Sequence, residues 1–130
     1  MNALSSQAHA TSIAIMGSGG AGAITTGSLL LEAAGQVGWY GLLTRSVGPQ
    51  IRGGEALAMV RLAPTPVTGH GDRYDVLVAL DWHNASRFIA EVPLDDKSLI
   101  LADTEGGDPP PAILATGAHL VTLPFTDLAD

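Results

Sequence analysis

Apolar positions along the chain fall into short runs separated by glycine- and proline-rich turns, with one stretch of helical period among them. The first run, Ile13 to Met16, enters Gly17-Ser18-Gly19-Gly20-Ala21-Gly22. Residues 22–36 follow as a predicted helix, with Ile24, Leu30, Leu31 and Ala34 near helical spacing and Gly35 and Gly38 as a stop. Trp39 to Thr44 reads as a strand. Glu55 to Ala63 has strand character in Met59, Val60 and Leu62, with an alanine-rich first half that is open to helix as well. Tyr74 to Leu80 is the clearest buried strand, a short apolar run between turn signals. Ser98 to Ala102 and His119 to Phe125 are two more, the last interrupted by Pro124. A short helix is expected from Asn84 to about Glu91, and Thr126 is placed to cap another at TDLAD. The alternation predicts an α/β fold: a three-layer Rossmann-like domain on a parallel or mixed sheet of about five or six strands. Strand order does not follow from the pattern.

Composition narrows this picture. The length suits one domain, residues 11–130, behind a flexible leader at 1–10 that lacks the basic and apolar regions of a secretory signal. Aromatic residues make up only 5% of the chain, so the core must be mostly Ala, Leu, Val and Ile. No apolar run reaches the roughly 18 residues of a membrane span. The sequence has no cysteine, which excludes disulfides and any zinc site or iron–sulfur cluster ligated by cysteines of this chain. A reducing, cytoplasmic setting is the expectation. The net charge of −7 argues against nucleic acid and anionic membrane as partners.

Gly17, Gly19 and Gly22 form Gly-x-Gly-x-x-Gly between strand and helix, with Gly20 in addition. Glycine permits the turn and a close approach, and the helix start offers N–H donors to an anion, so Gly17, Ser18, Gly19, Gly20 and Gly22 are candidate cofactor-binding residues. The alternative is a tight turn that binds nothing. A dinucleotide site wants a carboxylate at the end of the second strand, and Thr44-Arg45 stands there instead. Arg45 suits a phosphate or a partner's carboxylate. Gly48-Pro49-Gln50-Ile51-Arg52-Gly53-Gly54 is a second candidate: an arginine fork flanked by glycines, suited to a ligand, an interface or an internal salt bridge. Asp81 and Trp82 close the best strand, where ligands of open α/β sheets bind, although a helix cap there is equally in keeping. His9, His70, His83 and His119 have no metal spacing, no catalytic nucleophile or paired carboxylates stand out, and Asp95-Asp96 reads as a solvated turn. Arg61, Arg73, Arg87 and Lys97 are scattered.

GSGGAG, then TRSVGPQIRGGEALAMVRLA, then YDVLVALDWHN, in that order, resemble the gamma domain of 2-oxoacid:ferredoxin oxidoreductases over about residues 12–130. The form fused in front of the alpha subunit of bacterial 2-oxoglutarate:ferredoxin oxidoreductases is the most similar. The resemblance implies a complex that converts a 2-oxoacid and coenzyme A into an acyl-CoA, carbon dioxide and two electrons for ferredoxin. It implies thiamine diphosphate, Mg2+ and 4Fe-4S clusters in alpha- and beta-type parts. This chain would contribute assembly and a share of coenzyme A binding through the glycine-rich turn, Arg45 and Arg52, with no catalytic or metal-ligating residue of its own. Gamma domains of this kind run further, so the domain is expected to be truncated at its C-terminal end and inactive alone. A non-catalytic scaffold domain and a free nucleotide-binding module are the alternatives.

Overall fold

The computed structural model describes residues 10–17, 21–46, 56–65, 73–82 and 92–124. Their elements are β1 (Thr11–Gly17), α1 (Ala21–Gln36), β2 (Tyr40–Ser46), β3 (Ala56–Ala63), β4 (Val76–Ala79), β5 (Leu99–Asp103), α2 (Pro111–Leu114) and β6 (His119–Leu123). The strands form one six-stranded sheet in the order β2-β3-β1-β4-β5-β6. β1, β4, β5 and β6 are parallel, while β3 runs antiparallel between β1 and β2. The sheet is therefore mixed, as one branch of the sequence expectation had it.

Side-chain alternation divides the sheet into two cores. Ala14, Met16, Leu57, Leu77, Ala79, Ile100 and Ala102 point to one face, where they meet Tyr74, Trp82, Val92 and Ile113. Ile15, Ala58 and Val60 point to the other, under Ala23, Ile24 and Leu30 of α1. Helix α1 packs on β3, β2 and β1. Close packing there needs small residues: a methyl on Gly27 would stand 3.0 Å from Leu43 Cδ1 and 3.4 Å from Ala58 Cβ. The helix ends in a Schellman turn, with the Trp39 N–H on the Ala34 carbonyl (2.9 Å) and the Gly38 N–H on the Gly35 carbonyl (3.1 Å). Gly38 takes φ +84°, which fits its place in the predicted stop.

Three details depart from the sequence reading. The alanine-rich half of residues 55–63 is strand from Ala56 onward, because β3 is paired on both sides along its length and its alanines fit beneath a helix. Residues 111–114 form a helical turn that was not expected; Pro111 sits at its first position, where the missing N–H costs nothing. Strand β6 ends at Leu123, before Pro124, so the stretch expected to reach Phe125 is shorter. The helices expected at 84–91 and after Thr126 lie outside the described residues.

The amino edge of the sheet holds the one network the sequence reading broke up. Arg73 grips Asp95 with Nε on Oδ2 (2.6 Å) and Nη2 on Oδ1 (2.8 Å), and donates Nη1 to Asp75 Oδ1 (2.6 Å). Asp75 Oδ2 accepts the Ser12 N–H (2.8 Å), which ties the pair to β1. The buried Ser98 hydroxyl donates to the Tyr74 carbonyl at 2.7 Å. Arg73 is thus a clamp, not a scattered charge. Asp95 is its partner and also a turn residue: its carbonyl accepts the Ser98 N–H, its side chain stays partly exposed, and Asp96 beside it is exposed.

Candidate functional site

All the sequence-predicted site residues that are described sit at or near the carboxyl ends of the parallel strands. In the strand order, β1 is followed by β2 on one side of it and β4 by β5 on the other, so the chain leaves these two neighbours in opposite directions along the sheet. After β1 the chain enters α1 on one face. After β4, Trp82 and Val92, on either side of residues 83–91, are buried in the other. That makes the β1/β4 boundary a topological switch point, the place where open α/β sheets bind ligands.

Gly17 ends β1 at this boundary. The Leu80 N–H bonds the Met16 carbonyl at 2.9 Å and holds the two strand ends level. A side chain on Gly17 would meet Leu80 Cβ at 3.1 Å and Asp81 Oδ2 at 3.7 Å. On Gly22 it would meet Leu80 Cδ1 at 3.5 Å. Gly17 therefore gives the Leu80 side chain room at the strand end, while Gly22 is in ordinary contact with it. Asp81, half-buried, places its carboxylate beside the entry to the glycine-rich turn. Trp82, its neighbour, is buried in the core cluster of the opposite face. Ser18, Gly19 and Gly20 lie outside the described residues.

Gly106 is a site residue that sequence reasoning missed. Its carbonyl accepts the Trp82 N–H at 3.0 Å, and its own N–H reaches the Asp103 carbonyl at 3.0 Å. A methyl there would stand 3.1 Å from both the Leu80 carbonyl oxygen and Asp81 Cα. The 104–111 loop thus lies backbone to backbone on the end of β4 and fixes where Asp81 stands. The available signal was a Gly-Gly pair after a strand end, which reads as any turn.

Arg45 lies near the end of β2, exposed, opposite Ala58 in register and hence on the α1 side. Gly48, Pro49, Gln50, Arg52, Gly53 and Gly54 lie outside the described residues. The roots of that loop are fixed: Ser46 pairs with Leu57, and Ala56 pairs with Gly17. The register therefore roots the Arg52 loop and the glycine-rich turn on paired positions of one edge. The antiparallel β3 also separates β2 from β1, so Arg45 is about 10 Å from the β1 end across two strand spacings. A dinucleotide ribose site requires the second strand beside the first, and this sheet does not provide it.

The groups that thiamine or iron–sulfur chemistry would need do not fit this chain. The sequence has no cysteine, and no group of metal-ligating side chains occurs among the described residues. No helix among them is long and apolar enough to cross a membrane.

Comparison with known proteins agrees with the geometry. The family model for pyruvate ferredoxin/flavodoxin oxidoreductase matches residues 12–130. The gamma subunit of a keto/oxoacid ferredoxin oxidoreductase from Geobacter sulfurreducens superposes with a TM-score of 0.68 at 23% identity, over 92% of this chain and 64% of that one. Pyruvate oxidoreductase subunit PORC from Thermotoga maritima gives 0.66 at 25% identity, over 93% and 65%. A 2-oxoglutarate:ferredoxin oxidoreductase from Magnetococcus marinus, with 2-oxoglutarate, coenzyme A and succinyl-CoA bound, gives 0.73 at 23% identity, over 93% of this chain and 21% of that one. The chain thus spans a little under two thirds of the Geobacter and Thermotoga subunits. No curated protein matches it. With its family model matched over residues 12–130, the chain belongs to the pyruvate ferredoxin/flavodoxin oxidoreductase family.

Proposed function

We propose that this chain is the gamma-type component of a 2-oxoacid:ferredoxin oxidoreductase, and that the complex converts 2-oxoglutarate and coenzyme A to succinyl-CoA and carbon dioxide. Two electrons pass to ferredoxin. Thiamine diphosphate, Mg2+ and 4Fe-4S clusters are assigned to alpha- and beta-type partners, since this chain lacks cysteine ligands. The setting is cytoplasmic. The chain itself contributes assembly and a surface for coenzyme A. The observation that carries this reading is the register: Gly17 pairs with Ala56 and Ser46 with Leu57, so the glycine-rich turn and the Arg52 loop arise from one sheet edge at the switch point. Arg45 is exposed on the same edge, where a guanidinium fork suits phosphate.

The test is an anaerobic assay of the complex isolated through this chain from its own cells. Viologen reduction that needs coenzyme A and prefers 2-oxoglutarate over pyruvate is the expected result. A complex that retains thiamine diphosphate and clusters yet reduces nothing with either acid would sink the 2-oxoglutarate assignment. Arg52→Ala is expected to weaken coenzyme A about tenfold, the loss of one charge-assisted contact. Unchanged affinity in both Arg45→Ala and Arg52→Ala would leave the chain a scaffold.

A further inference from the structure

Helix α1 covers only half of its face of the sheet. It packs on β3, β2 and β1, and among the described residues no other helix lies on that side. Beyond it, register sets Val76 and Val78 of β4 beside Leu99 and Leu101 of β5, and these beside His119 and Val121 of β6. Their alternates Leu77, Ala79, Ile100 and Ala102 are buried on the opposite face. Val76, Val78, Leu99, Leu101, Val121 and Leu123 are only half-buried. The reason is topological. The chain adds β4, β5 and β6 outward in one direction, and right-handed crossovers in that direction all pass over one face. Ile113, from the β5–β6 connection, is buried on that face, opposite α1. Parallel strands otherwise have both faces covered. Helix α1 adds a wall to this apolar floor. A side chain on Gly41 of β2 would meet Leu31, and one on Gly22 would meet Leu80 just past β4, which fixes the two flanks of the helix. At about 100° per residue, Thr26, Leu30 and Ala33 share the β4 flank, with Leu29 on its upper rim. None of them is charged. Leu29 is 60% exposed, and the Thr26 hydroxyl already donates to the Gly22 carbonyl at 2.7 Å.

We propose that the step between α1 and the β4–β6 floor seats one amphipathic helix from the rest of the complex, outside residues 1–130, lying parallel to α1. Area selects a helix over a second copy of this chain. Three strand spacings by five residues give about 14 Å by 16 Å, roughly 200 Å² of floor, whereas a stable contact between free proteins takes about 800 Å² from each side. A helix is about 10 Å across and fits the width beside α1, held by the further contacts its own polypeptide makes. The three matched structures all carry polypeptide beyond the part that this chain spans. Charge sets the direction of the helix. On this face Asp103 closes the floor at the carboxyl end and His119 at the amino end. A carboxylate favours a helix N-terminus, and an imidazole can donate to the last carbonyls of a C-terminus. The helix therefore starts over Asp103, ends near His119, and turns an uncharged stripe to the floor and wall. Only the identity of the complex rests on the function proposed above.

The test uses the complex isolated from its own cells through this chain, with Leu29 replaced by the photo-reactive p-benzoylphenylalanine. Leu29 is exposed, so the replacement leaves the core intact. Irradiation followed by peptide mass spectrometry is expected to join it to a helical segment outside residues 1–130 with apolar residues three and four apart. A cross-link to residues 1–130, of the same or a second copy, overturns the proposal, and so does no cross-link at all. A second measurement needs no probe. Leu29→Glu is expected to weaken the hold on the rest of the complex about tenfold, read by mass photometry on dilution. Ser28→Glu, on the β2 flank of the same helix, is expected to leave it unchanged. Equal effects of the two overturn the proposal. The expected cross-link in a complex that holds no thiamine diphosphate would support the docking face and remove the oxidoreductase reading. A complex active on a 2-oxoacid but without the cross-link would overturn the docking face alone.

Discussion

A methyl group on Gly106 would press on the Leu80 carbonyl oxygen and on Asp81 Cα, both at 3.1 Å, and neither is the end of a flexible side chain. Gly106→Ala is therefore expected to cost about 1–3 kcal/mol, the usual penalty of overpacking, as read by urea unfolding. It should also shift Asp81, so ligand affinity falls with stability. At the other end of the sheet, Asp95 is held well below the usual carboxylate range, first by its hydrogen bond to Arg73 and then by the Lys97 N–H. A depressed folded pKa gives stability that is fully present above the unfolded value, about 3.9, and is lost as pH falls below it. The unfolding midpoint is expected to drop below about pH 4, and Asp95→Asn to flatten that drop. An unchanged slope in the variant would mean the clamp contributes nothing measurable. Part of this residue scale was legible in the sequence. Gly17 and Asp81 announced themselves by standing at strand ends. The Arg73 clamp did not, because Asp95 is 22 positions away along the chain and only the β4–β5 pairing brings it close.

Helix α1 was the most legible element, and its glycines separate packing from propensity. Gly27 faces Leu43, Ala58 and Val60, whereas Gly35 has open space around it. Gly35→Ala is expected to stabilise the chain by about 0.5–1 kcal/mol, since alanine loses less backbone entropy in a helix. Gly27→Val is expected to destabilise by about 1–3 kcal/mol by pushing the helix off β3. Thermal unfolding of the two variants side by side checks both signs; equal shifts would mean that α1 does not pack as closely as its glycines imply. Strand β3 was the least legible element. EALAMVRLA carries alanines that favour helix and branched residues that favour strand, and only its place between two partners settles the matter. The one-turn helix α2 was missed for a simpler reason: four residues carry no period to read.

The order of strands was beyond the sequence, because hydrophobic runs record that a segment is buried and not which neighbour buries it. The antiparallel insertion of β3 is the consequence that matters, since it moves Arg45 away from β1 and changes which ligands the edge can hold. The two faces also differ in what they contribute. On the face away from α1, Leu77 is fully buried among Met16, Tyr74, Ile100 and Ile113 of the same cluster. Its neighbour Val78 points to the α1 side and is only half-buried. Leu77→Ala removes a large side chain from a closed core and is expected to cost about 2–5 kcal/mol. Val78→Ala removes less, from a surface that water already reaches in part, and about 1 kcal/mol is expected. Urea unfolding with an unchanged slope would attribute both losses to the folded state. The comparison is sharper in an assembled complex. If a partner seals the α1-side surface near β4, Val78→Ala should cost more in the complex than in the free chain, while the cost of Leu77→Ala stays the same. Equal costs in both states would place the interface elsewhere on the molecule.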